Sequence, residues 1–474
     1  IKQTMEAAVL RDELMARLPP PWPHELLPEI QRAVAASGAK VAVLDDDPTG
    51  TQTVHDTPVL TRWPPEALEA ELAGAHTAFY LLTNSRSLPP ERAEALSAEI
   101  GAGLAEAARR TGARVVVVSR SDSTLRGHFP GEVAAQAGAL GYGDAPWVLA
   151  PFFEEGGRYT VGDVHYVAEG DLLVPAGATE FARDATFGYR ASNLRAWVEE
   201  KTGGRVAASS VLSISIEDIR TGGPERVAEL LLGAPGGAVC AVNAACRRDL
   251  EVVVLGALQA EARGRRLLYR TAASFVALRS GLAPRPLLGA VELGLGPGGG
   301  LVVVGSYVPK TTGQLEELLR LGGVRPVELE VAAVLDDARR AGAIASAARE
   351  VEAGLRGGED VVLFTSRALV RGPDGASSLA IGQRVSSALV EAVRALPVRP
   401  RYLLAKGGIT SSDIATAALG VRRALVLGQV LPGVPVWRLG AESAWPGLAY
   451  IVFPGNVGGP GALADVVRQL REGS

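Results

Sequence analysis

Asp45, Asp46 and Asp47 stand in succession, followed by Pro48, Thr49, Gly50 and Thr51. Adjacent carboxylates repel one another, so a fold that keeps three together needs cations, substrate hydroxyls or backbone N–H groups to compensate. Asp46 and Asp47 are therefore candidate catalytic residues, able to orient or deprotonate an attacking hydroxyl. Asp, Pro, Thr and Gly are also turn formers, and a helix-capping turn would use the same residues. A second constellation joins Asn84, Ser85 and Arg86 to the run Arg120-Ser121-Asp122-Ser123-Thr124-Leu125-Arg126-Gly127. A guanidinium fork matches a carboxylate bidentately, while Asn, Ser and Asp exchange hydrogen bonds with neighbouring hydroxyls. That chemistry suits a polyhydroxy acid, and a salt-bridged surface loop is its structural alternative.

A third set is rich in glycine: Gly305-Ser306, then Lys406-Gly407-Gly408-Ile409-Thr410-Ser411, then Gly455-Asn456-Val457-Gly458-Gly459. Glycines let backbone N–H groups close on phosphate oxygens, and helix starts expected at SSDIATAALG and PGALADVVRQL would add positive dipole ends. Lys406 stands out because the 48 basic residues include lysine only at Lys2, Lys40, Lys201, Lys310 and Lys406. Gly294, Gly296 and Gly299 satisfy G-x-G-x-x-G, yet they precede an apolar strand run where a dinucleotide fold needs them to follow one. There is no Walker A sequence. The five histidines lack metal-ligand spacing; His55 and His128, near the aspartates, are the two to watch.

The elements that must position these residues are legible from periodicity. Short β-branched runs alternate with stretches of helical period, which predicts an α/β protein with mostly parallel sheets flanked by helices. Strands are expected at 41–45, 78–82, 115–119, 147–152, 238–243, 301–306, 360–366, 402–407 and 450–455, with helices such as PPERAEALSAEIGAGLAEAARR and SSLAIGQRVSSALVEAVRAL between them. The polar constellations follow these strands, where ligands collect in open α/β sheets. A chain of 474 residues exceeds one ordinary core, and the Gly/Pro-rich segment 281–300 reads as a connection. The expected division is a helical lead-in over 1–37, one α/β domain over 38–285 and a second over 286–474, with the active site between them.

A net charge of −4 without a basic stripe points away from nucleic acid, and no run approaches a membrane span. The opening IKQTMEAAVLRDEL is mixed and charged, so no secretory core is expected there. Two cysteines, Cys240 and Cys246, fit neither a zinc half-site nor a disulfide framework, which suits a reduced cytoplasmic setting.

These residues resemble the four-carbon acid sugar kinase family. Its A-D-D-L-T-G signature is similar to Asp45-Asp46-Asp47-Pro48-Thr49-Gly50, placing the two family aspartates at Asp46 and Asp47, and its D-S-T-L-R-G signature is intact at Asp122 to Gly127. Its nucleotide-binding half resembles GSYVPKTTGQ (305–314), LFTSR (363–367), AKGGITSSDIA (405–415) and FPGNVGGPGALADVV (453–467). The resemblance implies a sugar-acid domain followed by an ATP domain, and Mg²⁺-ATP-dependent phosphorylation of a terminal hydroxyl of a tetronate such as threonate or erythronate. With the chemistry of the residues, this puts Asn84, Ser85, Arg86, Asp122, Ser123, Arg126 and Arg158 at the acid, with Arg86, Arg126 and Arg158 expected on its carboxylate. The resemblance places Ser306, Lys406, Gly407, Gly408, Ile409, Thr410, Gly455, Asn456 and Gly458 at the nucleotide. Metal ligands are unassigned, and a homodimer is one compatible assembly. Pro48 in place of the family Leu, Arg120 in place of Lys and the long segment 152–167 are departures that bear on the substrate. Two rival readings compete with this one. Asp45 and Asp47 also match hhhh-D-x-D-x-T of haloacid-dehalogenase-type phosphatases, with Asp45 as nucleophile. A non-catalytic protein binding sugar acid and nucleotide would share the same loops.

Overall fold

The structure is a computed structural model that describes residues 7–47, 49–306, 308–367, 370, 375–455 and 457–471, the side chains of 375–379 excepted. Its contacts divide the chain into two units. One takes the chain through Thr53 and again from Trp63 to Pro284; the other takes Val54–Arg62 and everything from Arg285 onward.

The first unit is built on a parallel sheet of β1 (Lys40–Asp45), β2 (Ala78–Leu82), β3 (Val115–Arg120), β4 (Trp147–Ala150), β5 (Leu212–Ile214), β6 (Val239–Val242) and β7 (Leu268–Thr271). Their order is β5-β6-β4-β7-β3-β1-β2, and each neighbouring pair is parallel. Strands covered on both faces must be apolar along their whole length, which is why VAVL, AFYLL and VVVV read as continuous runs. Register then aligns the strand ends: Asp45 lies opposite Leu82 and Arg120, Arg120 opposite Thr271, and Thr271 opposite Ala150. The polar loops that follow thus start from one line. The helix Pro90–Thr111 opens on a proline at its first position and closes at Gly112 with φ +71°. Its buried stripe Ala93, Ser97, Ile100, Leu104 and Ala107 has helical spacing. Gly101 lets it approach the helix Gly131–Leu140, because a Cβ there would come within 2.8 Å of Ala139 Cβ.

A second, antiparallel sheet in this unit joins Val9–Leu10, Leu172–Pro175, Val164–Glu169 and Arg158–Val161 in that order. Its hairpin turns on Gly162 and Asp163, both with positive φ (+59° and +64°), the two-residue turn that matches strand twist. In the lead-in, helices Arg11–Ala16 and Leu27–Ser37 accompany the short strand Val9–Leu10.

The second unit contains β8 (Leu301–Val304), β9 (Val324–Leu329), β10 (Asp360–Thr365), β11 (Leu403–Lys406), β12 (Arg423–Leu431), β13 (Val434–Leu439) and β14 (Ala449–Phe453). From the strand Thr57–Leu60 the order runs β12-β13-β14-β11-β8-β10-β9. The pairings up to β14 are antiparallel and the rest parallel. Val302, Val304, Val362, Leu404, Ile451 and Phe453 meet Leu315, Leu463 and Val467 from the helices in one core. All nine strands expected from the sequence are present; β5, β7, β9, β12, β13, Thr57–Leu60 and the four strands of the antiparallel sheet were not anticipated. The helix expected from Ser411 instead begins at Gly408, runs to Asp413 and passes into a π turn, Ile414–Ala418.

Candidate functional site

Each aspartate at the end of β1 is held differently. Asp45 is wholly buried, 3.4 Å from Arg120, whose other nitrogen donates to Gln52 at 3.1 Å. Gly50 lies over it so closely that a Cβ would fall 2.0 Å from both carboxylate oxygens. Burial pushes the Asp45 pKa up to about 8, against the pull of Arg120. Asp47 accepts the Thr49 N–H at 2.7 Å and its hydroxyl at 2.5 Å, and pairs with Arg86. Burial works to raise its pKa, but Arg86 and the Thr49 bonds outweigh it and hold the carboxyl below its ordinary value. Asp46 is 3% exposed, and neither oxygen has a hydrogen-bond partner, although Arg86 Nε lies 3.3 Å from Oδ1. Burial raises its pKa in spite of Arg86 and Arg120.

Arg86 is the hub of this cluster, facing Asp46, Asp47 and, at 3.7 Å, Asp122. Asn84 sets it up by taking a left-handed conformation (φ +51°) ahead of the turn Ser85–Ser87. Asp122 accepts from the Thr124 hydroxyl and from Arg126 Nε at 2.8 Å. Burial opposes its ionisation, yet Arg86 and Arg126 hold its carboxyl well below the usual carboxylate range. Arg126 also lies 3.7 Å from Asp184 and 5.2 Å from the Phe181 ring centre, while Arg158 stands 5.5 Å from that same ring with its Nε unpartnered. The loop itself is fixed from behind. Leu125, at φ +69°, is wholly buried, Tyr189 donates to the Thr124 carbonyl at 2.6 Å, and His165 Nε2 sits 2.7 Å from the Ser123 carbonyl. The site residues of this unit therefore converge, with Ser123 contributing its carbonyl to the support.

Sequence reasoning missed several members. Arg270, at the end of β7, is 3% exposed and lies 5.5 and 5.2 Å from the Phe129 and Trp197 ring centres. Glu132 is pushed up to about 7 by burial and then by Asp46. For Arg270 a signal existed, a lone charge inside the apolar run LLYRT. His128 serves the scaffold, its Nε2 3.0 Å from the Ser85 carbonyl, and His55 pairs with Asp56 in the second unit.

In the second unit the glycine loops meet at Ser306. A Cβ on Gly407 (φ +112°) would lie 3.2 Å from Ser306 Cβ, and one on Gly455 3.9 Å from Ser306 Oγ. Gly305 has no room for one, since Thr410 Oγ1 would be 2.4 Å away. Lys406 is buried and donates to the carbonyls of Pro454 (2.6 Å) and Gly455 (3.2 Å), with its ammonium 4.2 Å from the Phe453 ring centre. Burial, then Lys310, lowers its pKa to about 7. Gly408 opens the short helix, Ile409 is exposed, and Gly458 turns at φ +80°. Asn456, like Pro48, lies outside the described residues. Arg367, the last residue of the LFTSR run, donates to the Ser306 carbonyl at 2.8 Å and the Thr312 hydroxyl at 2.7 Å. A cavity of about 290 Å³ lined by Leu293–Gly299 and Arg399–Arg401 lies where β8 and β11 begin, at the opposite strand ends from these loops.

Two family models cover most of the chain: a sugar-binding N-terminal domain matches residues 41–279 and a nucleotide-binding C-terminal domain matches 301–463. The chain belongs to the four-carbon acid sugar kinase family. The acid cluster falls in the family's sugar-binding domain and the glycine loops in its nucleotide-binding domain. A Salmonella typhimurium LT2 structure provisionally named a tRNA synthase is 16% identical, with a TM-score of 0.66, over 91% of this chain and 99% of that one. A Haemophilus influenzae protein from a family of unknown function is 18% identical, with a TM-score of 0.61, over 90% of this chain and 99% of its own. At such identities the likeness is one of fold. No curated protein matches the chain. Among the described residues no trio of His, Cys, Asp or Glu is arranged to hold a metal ion, and no helix is long and apolar enough to cross a membrane.

Proposed function

We propose that this protein transfers the γ-phosphate of ATP to a hydroxyl of a small sugar acid of the tetronate type. The observation that carries this reading is Asp46. A buried carboxylate whose oxygens lack hydrogen-bond partners, and whose pKa is raised, suits a proton acceptor beside an attacking hydroxyl. Asp47 is committed to Thr49 and Arg86 and serves as an anchor. Arg126 and Arg158, both against Phe181, add positive charge to the side of the cluster that would face a sugar acid.

The loops around Ser306 fit a nucleotide polyphosphate because Gly305 and Gly407 leave room only for backbone. Two of the three Lys406 donors hold Pro454 and Gly455, and an adjacent phosphate would favour its charged form. Mg²⁺ is expected to arrive on the ATP phosphates and to neutralise their charge, a mode that uses few protein ligands. Direct transfer then depends on positioning, as phosphoryl transfer generally does.

Asp45 argues against the phosphatase reading, since a covalent nucleophile must be reachable and this one is wholly buried beneath Gly50. The test is ADP release from ATP and Mg²⁺ across a panel of C4 and C5 sugar acids. Acid-dependent ADP formation supports a kinase. No turnover with any acid, or hydrolysis of simple phosphate esters without ATP, overturns it.

A further inference from the structure

The arginines of the acid cluster differ in how their charge is met. Arg86 faces three carboxylates, Arg120 faces Asp45, and Arg126 faces Asp122 and Asp184. Among the described residues Arg158 and Arg270 form no ion pair. Arg270 is the more demanding of the two because it is only 3% exposed. Its guanidinium lies beside the packed pair of Phe129 and Trp197, 5.5 and 5.2 Å from ring centres that are themselves 4.7 Å apart, and its Nη2 donates to the Arg126 carbonyl at 3.0 Å. Aromatic faces and one carbonyl hold the group in place but leave its charge without an anion, and buried charges are ordinarily paired. The lost solvation also shows as a lowered pKa, against which Asp46, Glu132 and Asp122 pull upward from a distance.

Gly127 lies against both Asp46 and Arg270. A Cβ there would lie 3.2 Å from Asp46 Oδ2 and 3.6 Å from Arg270 Nη2, and φ of +118° reserves the position for glycine. The unpaired guanidinium and the unpartnered carboxylate of Asp46 thus border one side-chain-free stretch of backbone.

We infer that Arg270 is a substrate-binding residue that takes the carboxylate of the sugar acid and so fixes the acid's hydroxyls relative to Asp46. The inference rests on the sugar-acid reading above and adds a specificity: the ligand must carry a carboxylate, so a neutral polyol or amide of the same length loses this contact. Lysine would keep the charge but lose the planar fork.

The experiment is calorimetric binding of a four-carbon polyhydroxy acid, and of its uncharged amide, to the full chain and to Arg270→Gln and Arg270→Lys. Loss of a charge-assisted contact is expected to weaken acid binding about 10- to 100-fold in Arg270→Gln. Arg270→Lys should recover part of that, while amide and ATP affinities stay at wild-type values. Equal losses for acid and amide, or none, overturn the assignment while wild-type acid binding leaves the sugar-acid reading standing. A wild type that binds no sugar acid overturns both. If neither variant folds, a structure of the wild type with the acid bound decides: a carboxylate oxygen within about 4 Å of the guanidinium supports the contact, and a greater separation overturns it.

Discussion

Replacing Asp46 by Asn tests the chemistry most directly. The change preserves shape inside a site where the residue is 3% exposed, so packing is conserved and what is lost is charge and basicity. No hydrogen bond to either carboxylate oxygen is broken. General-base help is typically worth about 10² to 10⁴ in rate, or about 2.7 to 5.4 kcal/mol at about 1.36 kcal/mol per decade. Asp46→Asn is therefore expected to lower kcat by that factor with little change in the KM for ATP, read from ADP release. Asp47→Asn behaves differently because Asp47 is held by Thr49 and Arg86. Losing bonds to a charged group, about 1.5 to 3 kcal/mol each, should appear mainly as a lower melting temperature. Asp45→Asn should retain substantial turnover. The raised Asp46 pKa adds a pH signature: kcat/KM falls as pH drops through a value above the ordinary 3.8, because a protonated carboxyl cannot accept the proton. Turnover in Asp46→Asn within about tenfold of wild type would refute the assignment, as would loss of activity in Asp45→Asn alone.

Two further predictions concern protons. Lys406, lowered to about 7 by burial and Lys310, should take up a proton when ATP phosphates bind beside it. Calorimetry near neutral pH in buffers of different ionisation enthalpy should show uptake, and identical heats would count against placing phosphate there. His165 is lowered by burial from 6.5 to about 4. The folded state binds its proton less readily than the unfolded chain, so its stabilisation is complete above pH 6.5 and fades as pH falls toward 4. The full shift is worth about 3 kcal/mol, and the unfolding free-energy gap between wild type and His165→Gln should narrow by that amount over the window; a constant gap would contradict it.

The parts of this molecule that the sequence makes legible share a physical cause. Strands such as β1, β2 and β3 are buried on both faces and must be apolar throughout, so they appear as runs that no other element imitates at that length. The strands missed pair antiparallel, at the wing of the second unit or in the small sheet of the first, or are interrupted by polar residues. β12 alternates burial along RALVLGQVL, and Thr57–Leu60 owes its place to pairing with Arg423–Val426, a partner no local window contains. The hairpin within 158–169 did carry its signal: Gly162-Asp163 between YTV and VHYV is the two-residue turn that primed hairpins use.

The same contrast governs the site. Residues in contiguous motifs were found because a strand end gathers its neighbours into one loop, as with Asp45 to Gly50 and Asp122 to Gly127. Arg270 and Glu132 reach the same place from β7 and from the helix Gly131–Leu140, and their relevance exists only after the sheet has set β7 beside β3. Nor does a motif reveal the division of labour among three adjacent aspartates. That division is electrostatic. Gly50 seals Asp45 against Arg120, Thr49 and Arg86 hold Asp47 ionised, and Asp46 is left with raised basicity and unpartnered oxygens. One sequence run thus holds three carboxyls in three different states, one sealed, one held ionised and one with raised basicity, because burial and partner geometry differ over three consecutive residues, which composition alone cannot encode.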